Sequence, residues 1–134
     1  MKVSPFTQVG SITFGIDPGT LAGLIGQPRS ERVNRDGRIE LDYGAAVYRF
    51  DASSTLVEIT ADAPTLELDG HLVPFANLPS YLQEHDESAF TRAGFSVSPR
   101  FGIAFDPHFP SWVTAFPEKS LDIWRAIGGT NART

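Results

Sequence analysis

The run Tyr48-Arg49-Phe50-Asp51 returns 55 residues later as Ile103-Ala104-Phe105-Asp106, and this internal echo constrains the fold more than any single motif in the chain. Gly15 and Gly70 share the same separation. Thr55-Leu56-Val57 and Ser111-Trp112-Val113 lie 56 apart, and the pairs Leu21/Leu78 and Ile25/Leu82 lie 57 apart. Four segments in one order at a near-constant offset read as a duplicated unit. A unit of about 55 residues is marginal alone, so both copies are expected to share one core.

Each copy reads as a helix followed by strands. Residues 6–16 open as an extended segment with Val9, Ile12, Phe14 and Ile16 in rough alternation. Asp17 then offers an N-cap, Pro18 suits the first turn, Leu21, Leu24 and Ile25 keep helical spacing, and Gly26 with Pro28 ends the helix. Residues 29–37 form a polar loop closed by Asp36-Gly37. Ile39, Leu41 and Tyr43 alternate with Arg38, Glu40 and Asp42, the pattern of a half-buried strand. Ala46, Tyr48 and Phe50 give the inner face of a second strand, and Val57 and Ile59 that of a third.

Pro64 ends the first cycle and Asp69-Gly70 leads into the next. A helix is predicted over 75–87, with Leu78, Tyr81 and Leu82 on one face, then strands near 94–98, 101–106 and 111–116. A last helix over 118–127 carries the stripe Leu121, Trp124 and Ile127. The predicted fold is therefore α+β: two helix-plus-three-stranded-meander units forming one antiparallel sheet with the helices on one face. Residues 1–127 are expected to form a single domain, with repeat one at about 10–62 and repeat two at about 66–117. The tail 128–134 is expected to be flexible.

Composition narrows the function. Sixteen acidic against eleven basic residues give a net charge of −5, the wrong sign for a nucleic-acid binder. The absence of Cys removes disulfides, thiol catalysis and thiolate-ligated zinc. No run approaches the 18 or so apolar residues of a membrane span, and Met1 to Phe6 lacks a signal-peptide apolar core, so a cytoplasmic location is expected.

No motif for catalysis stands out. His71, His85 and His108 show no metal-ligating spacing, and Glu84-His85-Asp86-Glu87 reads as a solvated helix end. Ser80 and Ser111 sit beside Pro, outside any nucleophile elbow. Gly15, Gly19, Gly23 and Gly26 fit neither phosphate-loop pattern. The expectation is a non-enzyme without metal or cofactor.

Aromatic residues and the outer sheet positions are the better candidates. Phe50, Phe101, Phe105 and Phe116 are expected in the core. Phe109, within Asp106-Pro107-His108-Phe109-Pro110, is carried on a stiff loop, as a binding anchor would be. The outward positions Glu40, Asp42, Arg49 and Glu58, with Ser96, Ser98, Arg100 and Thr114, are expected to form one polar open face.

The segments Gly15-Ile16 to Leu21, Leu24-Ile25-Gly26-Gln27-Pro28, Tyr48-Arg49-Phe50-Asp51 and Leu56-Val57-Glu58-Ile59 resemble the small-protein-A-like lipoprotein repeat. Two such units in tandem look like the β-lactamase-inhibitor-protein fold. The second half lacks a Gly-x-Pro after its helix, and no lipid-anchoring Cys is present, so the lipoprotein role does not carry over. What the resemblance implies is protein binding through the open sheet face. The expected function is an immunity protein that neutralises a bacterial toxin stoichiometrically, with Glu40, Asp42 and Glu58 meeting a basic toxin domain and Phe109 and Trp112 anchoring it. Neither nucleic acid nor membrane is an expected partner. A structural or accessory binding module, and a small enzyme or ligand binder with a hidden pocket, are the alternatives.

Overall fold

A computed structural model describes residues 1–35 and 37–127. The expected tail at 128–134, and Asp36 of the expected turn, lie outside the described residues.

The chain opens with three short strands, β1 (Lys2–Ser4), β2 (Gln8–Val9) and β3 (Ile12–Thr13), and then α1 (Pro18–Ile25). Four strands follow: β4 (Ser30–Val33), β5 (Ile39–Asp42), β6 (Ala46–Phe50) and β7 (Leu56–Asp62). A hairpin, β8 (Thr65–Leu68) and β9 (His71–Pro74), leads through a 3-10 turn at Phe75–Asn77 into α2 (Leu78–His85). Four more strands come next: β10 (Phe90–Arg92), β11 (Phe95–Ser98), β12 (Ile103–Phe105) and β13 (Trp112–Ala115). A 3-10 turn at Glu118–Ser120 runs into α3 (Leu121–Ala126).

The class is α+β, but the expected arrangement needs three corrections. Among the described residues there are two sheets rather than one: an eight-stranded sheet ordered β10-β11-β12-β13-β7-β6-β5-β4, and a five-stranded sheet ordered β3-β2-β1-β8-β9. The second sheet depends on β1 pairing parallel with β8, Val3 opposite Leu68. Each half of the larger sheet is a meander of four strands, not three, because β4 and β10 add an outer strand to each. The helices also occupy both faces of the larger sheet.

Core packing explains that division. On one face, Leu21 of α1 packs with Ile12, Leu41, Phe50, Leu56 and Ile59. Leu78 and Leu82 of α2, with Val3, Leu66, Leu68 and Val73 of the smaller sheet, pack on Ile103, Phe105, Val113 and Ala115. On the opposite face, Leu121 and Trp124 of α3 cover Val97, Ala104 and Phe116. The second meander is therefore buried on both sides, and Ala104 of β12 is fully buried. Burying this much apolar side chain supplies most of the stabilisation.

Local chemistry fixes the elements. Asp17 caps α1, its Oδ1 accepting from the Thr20 N–H at 2.7 Å, and the Gly26 N–H donates to the Ala22 carbonyl to close the helix. A register shift between Arg49 and Phe50 sets Phe50 opposite Leu56. That bulge brings both Leu56 and Ile59 into the core, which strict alternation from Val57 does not foresee. Gly102 has a φ of +66°, and a Cβ there would lie 3.1 Å from the Phe6 ring and 3.2 Å from the Phe116 carbonyl, so glycine alone fits.

Phe50, Phe101, Phe105 and Phe116 are all buried, as expected. Ser96 and Ser98 are not on the open face: they pair with Phe105 and Ile103 on the core side, and Ser98 is fully buried. Arg100 lies in the β11–β12 turn, bonded to the His85 carbonyl and to Asp69.

Candidate functional site

The face that α1, α2 and the smaller sheet leave free is covered by α3 only across β10–β13, so its other half is open. Successive cross-strand partners there read Arg32, Glu40, Arg49 and Glu58 from β4 to β7, a row of alternating charge. Beside it runs Asp42, Val47, Thr60 and Thr114.

Arg49 is the hub of the charged row. Its Nε donates to Glu40 Oε2 at 3.0 Å and its Nη1 to Thr60 Oγ1 at 2.9 Å, and Nη1 reaches Glu58 Oε1 at 3.5 Å. Arg32 Nε donates to the other oxygen of Glu40 at 2.7 Å. Thr60 Oγ1 and Thr114 Oγ1 share a hydrogen bond of 2.7 Å across the β7–β13 seam. Glu40 is thus held by two guanidinium groups. Burial opposes its ionisation, but the bonds from Arg32 and Arg49 outweigh that and keep its pKa below the ordinary value. Glu58 goes the other way: burial pushes its pKa up, against the nearby Arg49 and Arg38 charges.

Where the open half meets α3, the face sinks into a cleft of about 500 Å³. Phe95 of β11, Trp112 of β13, Trp124 of α3 and Phe109 of the β12–β13 loop form its aromatic walls, with Val47 and Ile127 beside them. Arg49, Glu58, Thr60, Thr114 and Asp106 supply its polar groups. A smaller groove of about 320 Å³, lined by Ser30, Arg32, Glu40 and Asp42, joins it through Val47 and Arg49.

The five residues singled out from sequence therefore share one continuous surface. Glu58, Phe109 and Trp112 line the cleft, and Glu40 and Asp42 line the adjoining groove. Phe109 is 61% exposed. Asp42 also stabilises its own turn, accepting from the Gly44 N–H at 2.7 Å. Sequence reasoning missed Phe95, Trp124 and Thr60 as members of the site. Trp124 is buried against Phe95 and Phe116, at ring separations of 5.4 and 5.8 Å, and its indole N–H finds no acceptor among the described residues.

The acidic end of α2 needs a correction. Asp86 is not solvated but 5% exposed, accepting from the Ser98 hydroxyl at 2.6 Å, the Ser88 N–H at 2.9 Å and the Arg100 N–H at 3.1 Å. It ties the end of α2 to the β11–β12 turn. His85, at the end of α2, stacks on Tyr81, while His108 stands exposed in the β12–β13 loop. Among the described residues no group of three or more His, Asp or Glu is placed to hold a metal ion, and no helix is long and apolar enough to cross a membrane.

Comparison of the chain with protein-family models, with curated proteins and with solved structures finds no match.

Proposed function

We propose that this protein is a stoichiometric protein-binding inhibitor, an immunity protein that neutralises a bacterial toxin in the cytoplasm through the open face of its eight-stranded sheet. The observation that carries this reading is the placement of Phe109. A Pro-flanked loop holds this large aromatic side chain 61% exposed at the rim of an aromatic cleft, beside Trp112. Exposed aromatics over a preformed cleft are the usual anchors of a protein interface. The open half of the sheet, β4 to β7, and the adjoining cleft form the surface that a partner would cover.

The charges suit recognition more than bulk attraction. Glu40 is spent on Arg32 and Arg49, so the acids of this face act as a patterned row rather than a uniform negative patch. Complementary patterns of this kind select a partner and set its orientation. The test is co-expression with a toxin domain encoded beside this chain, reading growth rescue and a one-to-one complex by size-exclusion chromatography. Rescue that is lost with Phe109→Ala and Trp112→Ala is the expected result. Rescue and complex formation unchanged by both substitutions would overturn the reading.

A further inference from the structure

We propose that the cleft between α3 and the open half of the eight-stranded sheet is built to receive a basic side chain, a Lys or Arg projected by the partner protein. The inference rests on the reading of this face as a protein-binding surface and names the chemistry of what it takes.

Three observations converge on a cation. First, the walls are aromatic on several sides: Phe95, Phe109, Trp112 and Trp124 come from two strands, a loop and a helix to one cleft of about 500 Å³. Ring faces attract a desolvated ammonium or guanidinium group, and Trp does so best. Second, the charge of the lining is not balanced. Among the described residues that line the cleft, Glu58 and Asp106 are met by a single cation, Arg49, and that cation is shared with Glu40 at 3.0 Å. Third, the carboxylate of Glu58 is under-compensated. Its side chain is only 17% exposed, yet among the described residues its one ion pair is a 3.5 Å contact from Arg49 Nη1, an atom already bonded to Thr60 at 2.9 Å. A carboxylate withdrawn from water in apolar surroundings is stabilised by a donor cation.

The rival occupants fit less well. An anionic group would find the Arg49 donors at Nε and Nη1 taken, leaving Nη2 alone to meet it in a cleft that also carries Glu58 and Asp106. A purely apolar side chain would fill the aromatic walls but would strip the remaining water from Glu58 and return nothing to it. A Lys or Arg satisfies both parts of the site, its methylene stem lying against the aromatic walls and its head reaching the Glu58 carboxylate.

The chain has only two tryptophans, Trp112 and Trp124, and both line the cleft, so their indole N–H resonances report directly on it. The experiment titrates the purified protein with Nα-acetyl-lysine methylamide and Nα-acetyl-arginine methylamide, following those two signals. Nα-acetyl-norleucine methylamide serves as the neutral match and Nα-acetyl-glutamate methylamide as the anionic one. Saturable shifts are expected with the basic compounds at millimolar concentration, at least about tenfold tighter than with norleucine. Glu58→Gln combined with Asp106→Asn should weaken the basic compounds about tenfold and leave norleucine unchanged. Should the double variant lose its dispersed indole signals, Glu58→Gln alone carries the comparison.

Equal binding of norleucine and lysine, preferential binding of glutamate, or no saturable shift with any basic compound would overturn the proposal. Because no partner protein enters the titration, such a failure removes the cation assignment alone. The protein-binding reading falls separately, if Phe109→Ala and Trp112→Ala leave the complex intact.

Discussion

The hydroxyl oxygens of Thr60 and Thr114 lie 2.7 Å apart across the seam between β7 and β13, joining residues 54 positions apart in the chain. The same Thr60 oxygen accepts from Arg49. This pair ties the first meander to the second at the floor of the cleft. Thr60→Val leaves the Thr114 hydroxyl and one Arg49 donor without their partner and should cost about 1–2 kcal/mol in urea unfolding. The double variant Thr60→Val/Thr114→Val should cost less than the sum of the two single changes, since one shared bond is counted twice.

Phe105 is 1% exposed and packs edge-on against Phe75, with ring centres 5.6 Å apart. Phe105→Ala removes buried ring area and leaves a cavity between β12 and α2. The expected loss is about 3–5 kcal/mol. A loss below about 1 kcal/mol would mean that the Phe105 ring is not buried between β12 and α2.

Asp86 should make stability fall in acid. Burial works against its ionisation, but bonds from the Ser88 and Ser98 hydroxyls and from the Arg100 and Ser88 N–H groups prevail, and its pKa lies below the ordinary 3.8. A carboxyl with a lowered folded pKa contributes stability in full above the unfolded value, and loses it as pH falls through the folded one. Asp86→Ala should therefore cost about 2–3 kcal/mol near neutrality. The gap to the parent protein should narrow below about pH 4, read from unfolding midpoints across a pH series.

Glu58 should show the opposite sign. Its folded pKa is raised above the ordinary 4.5 by burial. Its favourable contribution is complete below 4.5 and is lost as pH rises through the folded value. Glu58→Gln is thus expected to raise the melting temperature at pH 7, with the advantage vanishing near pH 4. A variant that is less stable at pH 7 would show that Arg49 compensates Glu58 fully.

Phe109 should separate binding from folding. Exposed on its loop, it contributes little to the core, and Phe109→Ala should change stability by less than about 0.5 kcal/mol. Against a bound partner the same change should speed dissociation, measured by surface plasmon resonance. An unchanged dissociation rate would place the interface elsewhere.

These features were unequally legible in the sequence. The bounds of α1 could be read to the residue, because Asp17, Pro18 and Gly26 each mark a helix end by their own chemistry. β5 and β6 announced themselves by alternation. β4 could not: all four of its residues are exposed, so an edge strand made of Ser30, Glu31, Arg32 and Val33 carries no hydrophobic period. The split into two sheets was equally hidden, because it turns on β1 finding β8 more than sixty residues away. Of the site, the individual residues Glu58, Phe109 and Trp112 were visible but the cleft was not. Phe95 reads as one residue of a strand and Trp124 as one of a helix stripe until α3 crosses the sheet and brings them together.

The outer strands of the large sheet have one more consequence, for how copies of this protein meet in solution. A sheet can grow only at its rims, and here the rims are β4 and β10. One is wholly exposed and carries Glu31 and Arg32, and the other ends in Arg92, whose guanidinium is folded onto the Phe90 ring and the Arg125 carbonyl. A passing strand that tried to extend the ladder at either rim would have to strip water from fixed charges. Lateral stacking is thereby discouraged, and the broad face between the rims can stay uncovered at high concentration without the molecules fusing edge to edge into fibrils.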